Sequence, residues 1–239
     1  MAYEPHITSA YDRDLEEIQT TIMKMGGLVE TAIMSAADSL ESRDEELALH
    51  VREGDAVIDR LEEQVNEACA RTIALRQPAA GDLRTILTVM KISTNLERIG
   101  DYAKNMAKRT SVLVQMSPIE DSAGSIRRMA KQVEIMLTDA LDAYIQRDPE
   151  LAEDVRQRDM DVDQMYNSLF RNFLTHMMED PRNITACMHL HFIAKNIERM
   201  GDHVTSIAEQ VIYLVSGEMP GDNRPKRDMT PFEKTETRL

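Results

Sequence analysis

Two stretches of this 239-residue chain decide how the rest is read: Asn95-Leu96-Glu97-Arg98-Ile99-Gly100-Asp101-Tyr102 and Asn196-Ile197-Glu198-Arg199-Met200-Gly201-Asp202-His203. They stand 101 residues apart. Upstream, Arg43-Asp44 matches Arg147-Asp148 at an offset of 104, which holds for Leu47/Leu151, Val51/Val155, Asp55/Asp159 and Asp59/Asp163. The three-residue difference falls at the turns around Pro78 and Pro181, where chain length is free to vary. A period of roughly one hundred residues is too long for a solenoid unit. It marks an internal duplication.

Stop signals divide the chain into six long helical segments. Helix 1 is expected from Thr8 to Leu40, with Gly26-Gly27 as a place to bend, because glycine weakens a helix interior. Helix 2 starts near Asp44 and ends before Pro78. Helix 3 starts at the cap Asp82 and runs to Met116. Ser117-Pro118-Ile119-Glu120 has the form of a capping box with proline at the first helical position, and opens helix 4, which ends near Arg147. Asp148-Pro149 opens helix 5 in the same way, and Asp180-Pro181 separates helix 5 from helix 6, which fades at Gly217. Helices of roughly 28–35 residues span roughly 42–52 Å, and short connections make neighbours antiparallel. The reading is an all-α protein of two tandem three-helix bundles, residues 8–116 and 117–216, with a disordered tail over 217–239.

Composition agrees. Aromatic residues make up 4% and tryptophan is absent, while methionine reaches 17. Straight-chain helix formers dominate, and an all-β domain would use more aromatic and β-branched residues. Two cysteines exclude a disulfide framework or a zinc-finger set. No apolar run reaches the ~18 residues of a membrane span. Met1–Arg13 lacks the apolar stretch of a signal peptide, so a cytoplasmic location is expected. The net charge is −14. Residues 1–116 hold 13 basic and 20 acidic side chains, residues 117–216 hold 10 and 17. Neither half offers a basic body to nucleic acid, and an acidic surface suits cations or basic protein patches better.

The duplication places four Asp/Glu-x-x-x-Asp pairs at matching positions: Asp55/Asp59, Glu97/Asp101, Asp159/Asp163 and Glu198/Asp202. A spacing of four puts both carboxylates of a pair on one helix face, where they repel. Counting outward from the turns near 79–80 and 181, the pairs on helices 2 and 3, and those on helices 5 and 6, sit within ~5 Å of the same height at 1.5 Å per residue. Each half therefore gathers four carboxylates across one helix pair. Such a set asks for a cation, and its hard oxygen donors suit Mg²⁺, Mn²⁺, Ca²⁺ or iron. The other reading is compensation by neighbours such as Arg98 and Arg199. Gly100 and Gly201, mid-helix beside the acids, point to close approach of another helix or of a ligand shell.

The remaining signals are structural. Val89, Ile92, Leu96, Ile99, Ala103 and Met106 form the core stripe of helix 3, repeated on helix 6 by Ile193, Ile197, Met200, Val204 and Ile207. Helix 2 contributes Leu47, Val51, Ile58, Leu61 and Val65. His191 and His203 read as ordinary helix histidines, Cys69 and Cys187 as packing residues, and Arg224-Pro225-Lys226-Arg227 as a solvated tail.

The opening Thr8-Ser9-Ala10-Tyr11-Asp12-Arg13-Asp14-Leu15 and the two Asn-x-Glu-Arg-x-Gly-Asp copies strongly resemble the PhoU family of phosphate-signalling proteins, over about residues 6–216. The resemblance implies two three-helix bundles and metal clusters, iron or zinc in some members and magnesium or manganese in others, on the acids that match here: Asp55, Asp59, Glu97, Asp101, Asp159, Asp163, Glu198 and Asp202. It implies a cytoplasmic homodimer that acts as a negative regulator of the phosphate-starvation response. Such a protein couples the ATPase subunit of the phosphate-specific ABC transporter to a membrane sensor histidine kinase. It reaches the inner membrane through these partners and is not an enzyme. Two rivals stand beside it. A di-iron carboxylate enzyme wants Glu-x-x-His on two helices, and no histidine here stands three residues after a glutamate. A metal-free helical scaffold explains the helices and leaves the repeated acids without a reason.

Overall fold

A computed structural model describes residues 5–221, with side chains from Ala10 onward. Of the tail expected over 217–239, residues 222–239, with the Arg224–Arg227 cluster, lie outside the described residues. Six helices carry the fold: α1 Pro5–Ser42, α2 Glu45–Arg76, α3 Gly81–Leu113, α4 Ser122–Gln146, α5 Pro149–Glu179 and α6 Ile184–Ser216, with a 3₁₀ turn at Pro181–Asn183 before α6. Among the described residues there is no strand.

Several ends form as the sequence predicts. The Asp44 carboxylate accepts from the Leu47 amide at 2.9 Å. Asp148 accepts from Glu150 and Leu151, with Pro149 in the first turn of α5. These contacts satisfy amide donors that the first turn of a helix leaves open. Asp180 does the same for the Arg182 amide. Gly217 closes α6 in the left-handed conformation, φ 83°.

Two helix starts and one bend differ from expectation. Ser117–Glu120 does not open α4. Ile119 is buried instead, Asp121 takes φ 56°, and the helix begins at Ser122. The Arg43 guanidinium donates to the carbonyls of Leu113, Val114 and Met116, which holds the end of α3 in a turn just before the segment expected to be the cap. Asp82 is a first-turn acid of α3, whose cap position is Ala80 with no side-chain bond. Gly26 does not break α1, which runs without interruption. A β-carbon there would collide with Leu141 of α4, so the glycine serves close helix approach.

α1, α2 and α3 pack on one another, as do α4, α5 and α6. The two sets also join along α1/α4 and along α3/α6. Helices α1, α3, α6 and α4 thus close a ring around one continuous core, with α2 outside one edge and α5 outside the other. α3 and α6 run antiparallel: Asn95 meets His203, while Arg109 meets His189. The sum of paired numbers stays nearly constant along the contact, so the two Gly-Asp motifs cross at its middle. Tyr102 and His203, equivalent in the repeat, lie against each other there with ring centroids 5.7 Å apart. The predicted stripes of α3 and α6 are buried, as are Val51, Ile58, Leu61 and Val65 of α2. Both cysteines are buried and free.

Candidate metal centre

All eight predicted acids lie on the α2/α3 and α5/α6 seams. Because they are divided between the two edges of the molecule, they form two sets and not one. In the first half, Asp55 is buried inside the α2/α3 seam and Asp59, Glu97 and Asp101 are half-buried around it. The Lys104 ammonium donates to Asp55 Oδ2 at 2.5 Å and to Asp101 Oδ1 at 3.4 Å, bridging the two helices. Asp55 Oδ1 is buried and accepts no hydrogen bond. Burial pushes the Asp59 carboxyl up, and the negative charge of Asp55 adds to this while Lys104 opposes it. Burial also pushes Glu97 up, followed by repulsion from Asp101. The four acids therefore share one electrostatic environment, as the register argument requires.

In the second half Asp159, Asp163 and Glu198 are buried and Asp202 is half-buried. Lys195 Nζ meets Glu198 Oε1 at 2.9 Å. The two motif glycines explain how the helices come so close. A β-carbon on Gly201 would stand 2.9 Å from Asp159 Oδ1, and one on Gly100 would stand 3.5 Å from Asp55 Oδ1. In both halves the glycine is the floor under the first aspartate of the neighbouring helix.

Of the arginines proposed as compensating partners, Arg98 sits 3.5 Å from Glu97 and 4.0 Å from Asp101, a looser contact than that of Lys104. Arg199 is exposed. Sequence reasoning missed Lys104 and Lys195, although their spacings, three residues after Asp101 and three before Glu198, put each on its acid's face. His191 stands among the rings of Tyr166, Phe170 and Phe192, and His203 bonds Asn95, with burial pushing its pKa down.

Among the described residues no three His, Cys, Asp or Glu side chains stand close enough together to hold an ion as placed. The donor set nevertheless fits one. It is all oxygen, Asp55 keeps an unused buried lone pair, the glycines leave a cradle, and Lys104 already supplies a positive charge between α2 and α3. A hard cation meets the same need. A cleft of ≈ 410 Å³ between α4 and α5 is lined by none of the eight acids.

The PhoU domain pattern matches residues 22–110 and 126–211, stretches that contain all four carboxylate pairs. The chain belongs to the PhoU family. Its relatives include the phosphate-specific transport system accessory protein PhoU homolog of Rhizobium meliloti, 44% identical over 94% of this chain and 95% of that one. The protein of the same name from Zymomonas mobilis is 46% identical over 92% and 93%. Among solved structures, PhoU from Pseudomonas aeruginosa superposes with a TM-score of 0.84 at 40% identity, covering 87% of this chain and all of that one. The phosphate transport system regulatory protein PhoU from Streptococcus pneumoniae gives 0.82 at 27% identity, covering 88% and 99%. The helical-bundle fold of the PhoU family is thus the fold of this chain. Among its described residues, no helix is long and apolar enough to cross a membrane.

Proposed function

We propose that this chain is a regulatory accessory protein of phosphate transport and a negative regulator of the phosphate-starvation response. The observation that carries the reading is identity above 40% along nearly the whole length of proteins named as phosphate-specific transport accessories. In this reading it acts in the cytoplasm as a homodimer without enzymatic activity. It binds the ATPase subunit of the phosphate ABC transporter and a membrane sensor histidine kinase, and so couples transport to signalling. Asp55, Asp59, Glu97 and Asp101 would hold metal in one half, Asp159, Asp163, Glu198 and Asp202 in the other. The metal, Mg, Mn, Fe or Zn, would supply positive charge that lets the crowded carboxylates stay ionised.

Two measurements test the parts separately. Cells lacking the protein should express phosphate-starvation genes constitutively in rich phosphate, and normal repression would refute the regulatory role. For the metal, a ligand that binds only the folded state at a hundredfold excess over its Kd adds ~2.7 kcal/mol. Thermal melts with and without Mn²⁺ should differ, and the double variant D101N/D202N should lose the difference. Identical melts in all four conditions would remove metal from the proposal and leave the regulator standing.

A further inference from the structure

The acidic charge of the chain is even between its halves and uneven between its faces. α1 carries two Lys/Arg and seven Asp/Glu, α2 four and eight, α5 three and seven. α3 reverses the sign, with six Lys/Arg and three Asp/Glu. Two of those three acids, Glu97 and Asp101, belong to the α2/α3 seam. Arg84, Lys91, Arg98 and Arg109 follow one another at intervals of seven, seven and eleven residues. At 100° per residue these intervals keep all four within ~40° on one line of the helix. That line faces out beside α6, where Arg199 is exposed.

The arginines at the two ends of this line are built into the surface by aromatic rings. The Arg84 guanidinium stands 5.5 Å from the Tyr213 ring centroid and that of Arg109 stands 4.3 Å from Phe192. Stacking of this kind holds the planar cation in place while keeping its edge available to a carboxylate. Around it Leu87, Val112, Met188 and Phe192 are exposed apolar side chains. Arginine, aromatic residues and methionine are the types enriched where protein interfaces form, and exposed apolar groups gathered on one face mark such sites.

We infer that the α3/α6 face is a docking surface for an acidic helical segment of another protein. The sign of the α3 line selects an acidic partner, in contrast to the acidic α1, α2 and α5. Its shape selects a narrow one. The half-buried acids Glu97, Asp101 and Asp202 flank the basic line on the same face, so a flat anionic bilayer could reach the line only by meeting them. A single helix laid along the α3/α6 junction comes near Glu97 and Asp101 at Arg98, which contacts both, and does not have to cover the α2/α3 seam. Carboxylates spaced by heptads would face Arg84, Lys91 and Arg98 in turn, and apolar residues beyond Arg98 would meet Met188 and Phe192 beside Arg109. This is the helix-on-groove mode of recognition, guided by charge. The inference stands whether or not the partner belongs to phosphate transport.

The test is site-specific photo-crosslinking of the full chain in its own cells, with the reactive residue at Lys91 or Met188 and, as a control, at Ile135 on α4. The cross-linked peptides are sequenced. Positions 91 and 188 should capture one segment of net negative charge from a different protein. With the probe at 188, the K91E/R199E variant should cut the yield about tenfold or more, as reversal of steering charges does, and K91R/R199K should restore it. An unchanged circular dichroism melt establishes that the reversed variant is folded. Capture of a second copy of this chain, of lipid or of a basic segment, or a yield no higher than at Ile135, would overturn the proposal. So would an undiminished yield in the folded K91E/R199E variant.

Discussion

The two halves of the molecule share a carboxylate cradle and differ in what fills it. Asp55 and Asp159 are both buried, each against a glycine of the helix beside it. Across α2/α3 the positive charge comes from Lys104, which bridges Asp55 and Asp101. The equivalent position in the second half is Thr205, whose hydroxyl donates to the Gly201 carbonyl. There the lysine is Lys195, on Glu198, and its counterpart in the first half is Thr94. Duplication thus retained the backbone approach and the acids, while each half places its ammonium on a different partner. The shared parts are those that the close packing of helices dictates. The internal cation, which any flexible side chain of the right sign can supply, was free to move.

The largest effects should come from what the halves share. Leu96 and Ile197 are equivalent in the repeat and neither has measurable exposure. Leu96→Ala and Ile197→Ala should each cost about 2–5 kcal/mol, the range for large-to-small changes in a packed core. Because α3 packs on α6 within one core, denaturant titrations should show both variants shifting the same transition. A near-zero loss at either position, or two resolved transitions, would break the symmetry claimed for the core.

A smaller effect should separate the halves. Alanine in place of a mid-helix glycine gains about 1 kcal/mol from propensity alone. At Gly100 the new methyl would meet Ile58 Cδ1 at 3.0 Å, the far end of a side chain that can turn aside. At Gly201 it would meet Asp159 Oδ1 at 2.9 Å, on a buried carboxylate with little room to move. Gly100→Ala should therefore stay within about 1 kcal/mol of the parent, while Gly201→Ala should lose about 1–3 kcal/mol, as overpacking does. Equal values in chemical denaturation would show that the second cradle is as yielding as the first.

Much of this was legible in the sequence because it depends on period and spacing. The repeat offset, the apolar stripes, the Asp44 and Asp148 caps and the four acid pairs all follow from counting along a helix. What was not legible depends on which helices meet. Ser117–Glu120 has a cap's pattern, yet Arg43, some seventy residues earlier in the chain, binds the carbonyls of Leu113, Val114 and Met116 just before it, and Ile119 is drawn inward. Nothing in the repeat says that α3 lies against α6, so charge counted by halves looked uniform when it is divided by faces. Lys104 and Lys195 were within reach. Reading the acids together with their i±3 neighbours would have found both.

The smallest effect concerns Asp59, an acid of the first cradle that Lys104 does not contact directly. Burial raises the Asp59 carboxyl pKa in the folded chain, and Asp55 and Asp101 raise it further against the pull of Lys104. An unfolded aspartate ionises near pH ~3.9. Between that value and the raised folded one, the native state binds more protons than the unfolded state. Stability therefore falls as pH rises through this window, and the loss persists at neutral pH. Asp59→Asn carries no charge to confine, so at pH 7 it should be more stable than the parent, by a few tenths of a kcal/mol at this half-buried site. The gain should disappear near pH 3, where the parent carboxyl is protonated in both states. Paired urea titrations across this range decide the matter. A variant less stable than the parent at pH 7 would mean that Lys104 binds Asp59 more strongly than the other acids repel it. Added Mn²⁺ sharpens the comparison: if the proposed centre forms, it stabilises the parent more than the variant and the order at pH 7 reverses.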